Sequence, residues 1–266
     1  MASLSPQEFL TQHLEQQDHS IHSYQYQQQT VWIKKAGKRH SIWLYKLLGL
    51  VTKSFKLKAL TPVPNLGGTA AIQIEAKRIK HLQQHGINVP KLLAHNTEGL
   101  MLADVGTQEY PAQQLEAALK NCQNAADCLE LYTYIVDEIH AIHQKGLWLS
   151  EAFLRNMMLD KNNDIAFLDF ESDPGKYMNK KMCFARDWLC LIFSSSIYLK
   201  QHGIMEKASH YLHDIMQQES QQTYRAVVAV TRVFNWLAKI PLEKLGKDGY
   251  RLTAVITVLA YIKTLT

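Results

Sequence analysis

The 266-residue chain has an ordinary globular balance, with 47% hydrophobic and 20% charged residues, so it can bury one large core or two smaller ones. Its first residues lack the basic and then apolar pattern of a secretory signal, and no window approaches the roughly 18 apolar residues of a membrane-spanning helix. We therefore expect a cytoplasmic protein without a transmembrane segment.

The net charge is concentrated in one segment. The formal charge is +5, yet the stretch between Asp18 and Glu75 contains no acidic residue and eight basic ones. Subtracting those eight charges from +5 leaves about −3 for the remainder. The basic residues are Lys34, Lys35, Lys38, Arg39, Lys46, Lys53, Lys56 and Lys58.

The cysteines do not indicate a metal site. No pair of them has the spacing of zinc ligands, and none has a histidine partner in a zinc pattern. We expect reduced thiols that act as small core residues. They are Cys122, Cys128, Cys183 and Cys190.

In chain order, the first predicted elements are a helix over Pro6 to Gln17 and a strand over Thr30 to Lys34. Apolar residues then recur at helical spacing from Ser41 to Leu60, with lysines between them. We expect that helix to pack on the core. The alternative is a basic amphipathic helix that contacts an anionic membrane or nucleic acid.

A loop rich in helix breakers, Thr61 to Gly68, precedes a helix predicted over Thr69 to Gln84. On this helix the Glu75 side chain shares a face with Ile72 and Ile79. A carboxylate on a mostly apolar face usually has a cationic partner. The sequence therefore predicts that Glu75 is buried in an ion pair.

Two strands and then mostly helices are predicted for the rest of the chain. The strands cover Asn88 to Ala94 and Leu100 to Asp104, with a connector and domain boundary around Asp104 to Gly106. Helices are predicted over Gln113 to Cys122, Asp127 to Lys145, Phe184 to Gln201, Met205 to Gln217, Gln222 to Ala238 and Tyr250 to Thr264.

The stretch from His140 to Pro174 carries the residues that suggest chemistry. It reads as a helix end, a loop with Glu151 and Asn156, a strand, a turn at Asn162-Asn163, and a strand that ends in Asp169-Phe170. A phosphoryl-transfer site needs a proton acceptor, followed by an Asn and an Asp that hold magnesium. Taken singly, Asn156 could instead cap a turn and Asp169 could simply end a strand.

Two further sets of residues within this stretch also have structural interpretations. His140 and His143 lie three apart on a predicted helix, which without a third ligand favours a structural role over a metal site. Arg155 adjoins Asn156 and would contact a phosphate, an acidic group of a substrate or a structural carboxylate.

In their order, these motifs resemble those of the protein-kinase-like superfamily, in particular small bacterial members similar to lipopolysaccharide-core sugar kinases. Val31-Trp32-Ile33-Lys34 is similar to V-A-I-K, which implies that Lys34 holds ATP phosphates and that Glu75 orients Lys34. Asp169-Phe170-Glu171 stands at the place of D-F-G, and Glu151 to Asn156 has the spacing of the catalytic loop.

The resemblance also implies roles for individual residues. Asn156 and Asp169 would hold magnesium, Glu151 would serve as base or substrate-orienting group, and Asp104 would join the nucleotide-binding residues. Asp187, in Arg186-Asp187-Trp188, would support the catalytic loop by hydrogen bonds.

Three features depart from the family pattern. Leu149-Ser150-Glu151 replaces H-R-D, and the segment before Lys34 contains no G-x-G-x-x-G. Gly67 and Gly68 at the start of the Glu75 helix could supply backbone amides to a phosphate, or they could merely turn the chain. Glu171 replaces the last glycine of D-F-G. Glu171 and Asp173 could add negative charge near magnesium, but we expect them to be solvated turn residues, which is the more common role of acidic residues in a turn.

The resemblance implies an α+β, two-lobed protein-kinase-like fold. The N-lobe would cover residues 1–104, a small sheet-and-helix lobe with a basic amphipathic insertion at about 38–68, and the mainly helical C-lobe would cover 105–266. The implied activity is ATP- and Mg²⁺-dependent phosphoryl transfer to a hydroxyl of a cell-envelope glycolipid, at the inner face of the membrane. The alternatives are a pseudokinase that only binds or scaffolds, and an RNA-associated small kinase.

Overall fold

The computed structural model describes residues 4–37, 58–65, 67–237 and 246–265. It is a mixed α+β structure, and the chain divides into two compact units. Of the described residues, unit 1 contains 4–37, 62–65, 67–113 and 158–177, and unit 2 contains 58–61, 114–157, 178–237 and 246–265. Unit 1 thus includes the segment that carries Asp169, which the predicted division after residue 104 assigned to the second lobe.

A four-stranded antiparallel sheet forms the centre of unit 1, in the order β1-β2-β4-β3. Its strands are β1 (Ile21–Tyr26), β2 (Gln29–Lys35), β3 (Leu92–His95) and β4 (Gly99–Ala103). The three strands β2, β3 and β4 were predicted to within a few residues.

The first strand was not predicted, because half of its six residues, IHSYQY, are polar and it runs directly into the Gln-rich turn. Tyr26 pairs with Gln29, so Gln27 and Gln28 form a two-residue hairpin turn. Both have positive φ, 47° and 65°, which is the geometry that usually favours Asn or Gly. The turn therefore lacks the residues by which a hairpin is recognised from sequence.

The sheet packs against helix α1 (Pro6–Gln16) through alternate residues of β2. Val31 and Ile33 are fully buried and lie in one cluster with Leu10 and Leu14 of α1. The Ser5 and Glu8 side chains form a capping box that fixes the start of α1. Because side chains alternate along a strand, Trp32 and Lys34 point to the opposite face.

Helix α2 (Gly68–Gln84) follows the glycine-containing loop and buries Ile72, Glu75 and Ile79 together. A shorter three-stranded sheet has the order β5-β6-β7. Its strands are β5 (Gln113–Gln114), β6 (Met157–Leu159) and β7 (Ile165–Phe167). Asn163 turns the chain between β6 and β7 with a φ of 64°, in agreement with the predicted turn.

Unit 2 is helical, and its helices agree with the predictions to within about four residues at each end. They are α3 (Leu115–Lys120), α4 (Ala125–Gln144), α5 (Lys180–Gln201), α6 (Met205–Gln217), α7 (Gln221–Leu237) and α8 (Gly246–Thr264). The cysteines are free thiols, and Cys128, Cys183 and Cys190 are buried as expected while Cys122 is half-buried.

Among the described residues, one helix, α5, is long and apolar enough to cross a membrane by those two criteria. Within the protein, 83% of its apolar window is buried, which is typical of a core helix. Most of the predicted Ser41 to Leu60 helix lies outside the described residues, as does most of the basic insertion at 38–68. The last residues of the predicted helix, Lys58–Leu60, form a 3₁₀ turn and not the end of an α-helix.

Candidate functional site

The buried Glu75 carboxylate has the cationic partner that its position on α2 requires. The Lys34 Nζ atom lies 2.9 Å from Glu75 Oε2 and 3.1 Å from Oε1. Only 2% of the Glu75 side chain and 17% of the Lys34 side chain are exposed. Strand β2 supplies the lysine and helix α2 the glutamate, and both belong to unit 1. The predicted ion pair is confirmed.

Two more carboxylates of unit 1 contact the same ammonium group. Asp169 Oδ1 is 3.1 Å and Glu171 Oε1 is 2.8 Å from Lys34 Nζ. Asn65 also donates its side-chain amide to Glu171. The prediction that Glu171 is a solvated turn residue is therefore wrong, because the Lys34 ammonium group and an amide donor hold its carboxylate. Asp173 does serve the turn, where its side chain accepts from the Gly175 amide.

Burial and charge act in opposite directions on Lys34. Burial alone would lower the pKa of Lys34, but Glu75, Asp169 and Glu171 outweigh it and raise this pKa above its ordinary value. For Glu75, burial is the largest effect and raises the pKa of its carboxyl, although Lys34 opposes the change. The three carboxylates therefore keep Lys34 protonated, and Glu75 in turn needs the positive charge of Lys34 to stay ionised.

The backbone at Asp169 has the left-handed conformation, with a φ of 64°. The extended chain consequently ends at Phe167, and the prediction that strand β7 continues to Asp169-Phe170 is wrong. The Phe170 side chain that follows is buried. Non-glycine residues in this conformation are uncommon and concentrate at functional sites. The turn directs the Asp169 side chain, 44% exposed, to Lys34.

Gly67 and Gly68 turn the chain into α2, with φ values of 62° and 57° that favour glycine. Their amides have protein acceptors: Gly67 N–H donates to Asn65 Oδ1 at 2.9 Å, and Gly68 N–H donates to the Gly37 carbonyl at 3.0 Å. This arrangement favours the turn interpretation over the phosphate cradle. The neighbouring Leu66 lies outside the described residues.

Asp104 organises the end of β4. Its Oδ2 accepts the Trp32 indole N–H at 2.7 Å, and its Oδ1 accepts the Gly106 amide at 2.6 Å. One carboxylate oxygen thus bonds to a side chain of strand β2, and the other bonds within the turn that follows β4. A role of Asp104 in nucleotide binding stays a prediction.

In unit 2, Glu151 lies between two arginines. Its Oε2 is 3.5 Å from Arg155 and its Oε1 is 3.5 Å from Arg186. Asn156 is buried and donates its side-chain amide to the Glu151 carbonyl at 3.1 Å. The side-chain oxygen of Asn156 could therefore bind a metal, and oxygen is the type of ligand that Mg²⁺ takes.

Asp187, which is fully buried on α5, supports the loop that leads to Glu151. Its Oδ2 accepts the Leu149 amide at 2.8 Å and lies 3.3 Å from His143 Nε2. The prediction that Asp187 supports the loop by hydrogen bonds is confirmed. Sequence reasoning did not find Arg186 as a partner of Glu151, since no local pattern links residues 35 positions apart.

His143 lies in a buried charge cluster of unit 2, which consists of His143, Asp187 and Glu219. Its Nδ1 is 2.6 Å from Glu219 Oε1, and its ring stacks on Phe184 with centroids 4.1 Å apart. His140 Nδ1 is 3.6 Å from the same Glu219 oxygen. The preference for structural over metal-binding histidines is consistent with this arrangement.

We expect the free energy of unfolding to fall as the pH is raised from 6.5, the ordinary pKa of histidine. Burial lowers the pKa of His143, but hydrogen bonds with Asp187 and Glu219 outweigh it, so the folded protein holds a proton that the unfolded chain releases. The slope is at most about 1.4 kcal/mol per pH unit for one proton. Urea unfolding at a series of pH values measures it.

A His143→Gln variant cannot take up that proton, so it should lose this part of the pH dependence. Substitution of the exposed His210 by Gln serves as the matched control. The assignment is contradicted if the His143→Gln and wild-type proteins keep parallel pH profiles between neutral and alkaline pH.

In the described part of the chain, no group of three or more His, Cys, Asp or Glu side chains has an arrangement that could hold a metal ion. No protein-family model matches the sequence, and no curated protein matches it significantly. Functional interpretation therefore depends on the motifs and on the geometry around Lys34.

Proposed function

We propose that this protein is an ATP- and Mg²⁺-dependent phosphotransferase with a two-lobed protein-kinase-like fold. Its acceptor would be a hydroxyl on a sugar of a cell-envelope glycolipid at the inner membrane face. The order of the motifs around Lys34, Glu75, Asn156, Asp169 and Asp187 supports this proposal.

The observation that carries the proposal is the convergence of three carboxylates on the ammonium group of Lys34. Glu75 is buried with it, whereas Asp169 is the most exposed of the three. The four side chains together carry a formal charge of −2, which attracts a divalent cation. An ion pair that only stabilised the fold would need one carboxylate. The two additional carboxylates, Asp169 and Glu171, therefore suggest a binding site for a charged ligand.

The proposed sequence of binding follows from these charges. A nucleotide would bring Mg²⁺, and Asp169 would bind the metal in place of its contact with Lys34. Glu75 would then keep Lys34 in position to contact phosphate oxygens. Mg²⁺ sites of this kind use one or two protein carboxylates together with phosphates and water, so they need no preformed cluster of three protein ligands.

Unit 2 supplies the other proposed roles. Asn156 would contribute its side-chain oxygen to a metal, and Glu151 would accept the proton of the acceptor hydroxyl or orient that hydroxyl. Proton transfer of this type contributes about 10² to 10⁴ in rate, so a displaced base would slow transfer without abolishing it.

A pseudokinase is the second candidate, and the arginines around Glu151 favour it. Arg155 and Arg186 contact both oxygens of the carboxylate that would act as base. Leu149 and the absence of a glycine-rich loop before Lys34 point the same way. In that case nucleotide would bind without efficient transfer.

The wild-type protein should be stabilised by ATP with Mg²⁺, by roughly 2.7 kcal/mol at a ligand concentration 100 times Kd. Asp169→Asn should weaken this stabilisation and remove its dependence on Mg²⁺, because the metal loses a charged ligand. Thermal-shift titrations with and without Mg²⁺, confirmed by calorimetry, measure both effects. Asp164→Asn, the same substitution at an exposed residue of unit 1, should behave as wild type.

Absence of any wild-type shift would refute nucleotide binding, and an Asp169→Asn variant with the full Mg²⁺-dependent shift would refute the assignment of Asp169. If ATP binds, transfer of labelled phosphate to envelope glycolipid separates the enzyme from the pseudokinase. The same assay with tRNA tests the RNA-associated alternative.

A further inference from the structure

A cavity of about 150 Å³ lies within unit 2, between the loop that precedes β6 and helices α3, α5 and α8. Two arginines line it, Arg155 from the loop that carries Glu151 and Arg251 from α8. The wall also includes the aromatic rings of Phe153 and Tyr198 and the carboxylate of Glu116. The cavity thus combines cations, flat apolar faces and a hydrogen-bond acceptor.

A larger groove of about 520 Å³ shares Tyr198 and Arg251 as walls with this cavity. It adds Lys120 and Lys247 to the cationic groups. The ring of Tyr250 lies on the same groove and has Lys200 Nζ 4.1 Å from its centroid. Cavity and groove together form what we call the basic recess.

Hydrogen bonds and stacking fix the polar groups of the basic recess before any ligand binds. The Tyr198 hydroxyl donates to Glu116 Oε1 at 2.6 Å, and burial, followed by this carboxylate, raises the pKa of Tyr198 to about 12. Arg155 lies over the Phe153 ring, 4.3 Å from its centroid. A guanidinium stacked on a ring keeps the N–H groups at its edge for an anion, and one nitrogen of Arg155 already lies 3.5 Å from the Glu151 carboxylate.

The charges of the basic recess favour an anion. Lys120, Arg155, Lys247 and Arg251 face a single lining carboxylate, Glu116, which already accepts from Tyr198. Guanidinium groups bind phosphate oxygens through paired N–H donors. Aromatic faces can pack against the ring of a sugar, and a carboxylate can accept hydrogen bonds from its hydroxyl groups. The volume of the recess is within the range of small-molecule sites.

We propose that the basic recess binds a sugar phosphate, with the phosphate on Arg155 and Arg251 and the sugar ring against Tyr198 and Glu116. Arg155 also contacts Glu151 at 3.5 Å, so a bound sugar would lie beside the proposed base. Its role as the acceptor site rests on the proposed phosphotransferase activity. Binding itself does not depend on that activity.

An RNA backbone fits this geometry less well than a sugar phosphate does. The two arginines line a compact cavity of about 150 Å³, whereas RNA-binding proteins present extended grooves that follow several phosphates. The position of Glu116 inside the cavity would also repel a polyanion.

Calorimetric titration of the full chain with glucose-6-phosphate, in the absence of nucleotide, tests the proposal. We expect saturable binding to the wild type and a loss of about 10-fold or more in affinity for Arg251→Ala, because a charged hydrogen-bonding partner is removed. Lys263→Ala, at an exposed position of the same helix, is the matched control and should bind as wild type. Glu116→Gln should weaken the binding of glucose-6-phosphate more than the binding of inorganic phosphate, since the proposal places Glu116 against the sugar.

Vesicles distinguish a soluble ligand from a lipid-linked one. Phosphatidylcholine vesicles with phosphatidylinositol-4-phosphate are compared with phosphatidylcholine vesicles that contain phosphatidylserine. Selective, Arg251-dependent binding to the first supports a lipid-linked sugar phosphate, and glucose-6-phosphate binding alone supports a soluble one. The proposal fails if neither probe binds, if Arg251→Ala binds as the wild type does, or if an RNA hairpin binds instead.

The two proposals fail separately. Lys34→Met should abolish the nucleotide-induced stabilisation but leave glucose-6-phosphate affinity unchanged, since Lys34 belongs to unit 1 and the basic recess to unit 2. If the protein binds the sugar phosphate but no nucleotide, the proposed phosphotransferase activity is refuted, whereas the sugar-phosphate site in the basic recess is supported.

Discussion

Replacement of Asp187 by Ala is expected to lower the free energy of unfolding by about 3 to 5 kcal/mol, the usual cost of removing one partner from a buried charge pair. Asp187 is fully buried and accepts from the Leu149 amide while it lies 3.3 Å from His143. Without it, the Leu149 amide loses its acceptor and His143 keeps Glu219 alone as an anionic partner in this cluster. Urea unfolding at neutral pH gives the difference directly.

Asp187→Asn separates the charge from the hydrogen bond. The amide oxygen can still accept from Leu149, so this variant should lose less stability than Asp187→Ala. Asp214→Ala, on the exposed face of α6, is the matched control and should lie within about 0.5 kcal/mol of the wild type. If Asp187→Ala were no less stable than this control, the loop would not depend on Asp187 as described.

Loss of the Asp187 hydrogen bond should also be visible at one backbone position. Hydrogen exchange of the Leu149 amide should be faster in Asp187→Ala than in Asp187→Asn, because only the latter retains an acceptor. An exchange rate that is equal in both variants would mean that the loop is held by other contacts.

Local periodicity was sufficient to predict most of the helices. Helix α6 has the predicted bounds, Met205–Gln217, because its apolar residues repeat at helical spacing between clear ends. The same reasoning placed Glu75 on a buried face and required a cationic partner for it. Strand β1 was missed because His22, Ser23 and Gln25 interrupt its apolar pattern, and its hairpin turn at Gln27 and Gln28 contains no glycine.

The contacts that define the candidate site are between residues far apart in the chain, and most of them have no local signal. Glu171 meets Lys34 and Asn65 across more than a hundred residues, so its position two after Asp169 suggested only an acidic turn. Glu219 contacts His143 across 76 residues and was likewise missed. Such contacts depend on tertiary packing, which a pattern of apolar residues determines only indirectly.

Both units use buried acidic groups that depend on one cation, but the consequences differ. In unit 2 the cation is a histidine, whose charge changes near neutral pH, so the stability of the Asp187 cluster varies with pH. In unit 1 the cation is Lys34, whose pKa is raised by three carboxylates, so its charge persists at all physiological pH values. A permanent cation at a partly exposed position is what contact with a phosphate requires.

Lys34→Met should lower the free energy of unfolding by about 3 to 5 kcal/mol and abolish stabilisation by ATP with Mg²⁺. The stability loss follows because Glu75 stays buried without its cation, and the binding loss follows because the phosphates lose theirs. Lys91→Met, an exposed lysine of unit 1, is the control for loss of one positive charge.

The double variant Lys34→Met, Glu75→Leu separates these two effects. Replacing both members of a buried ion pair by apolar residues of similar volume is often neutral, so the double variant should recover most of the stability lost in Lys34→Met. Its nucleotide binding should not recover, because the cation is still absent. If the double variant regained both stability and ATP binding, Lys34 would serve only to pair with Glu75, and the phosphate contact proposed for it would be wrong.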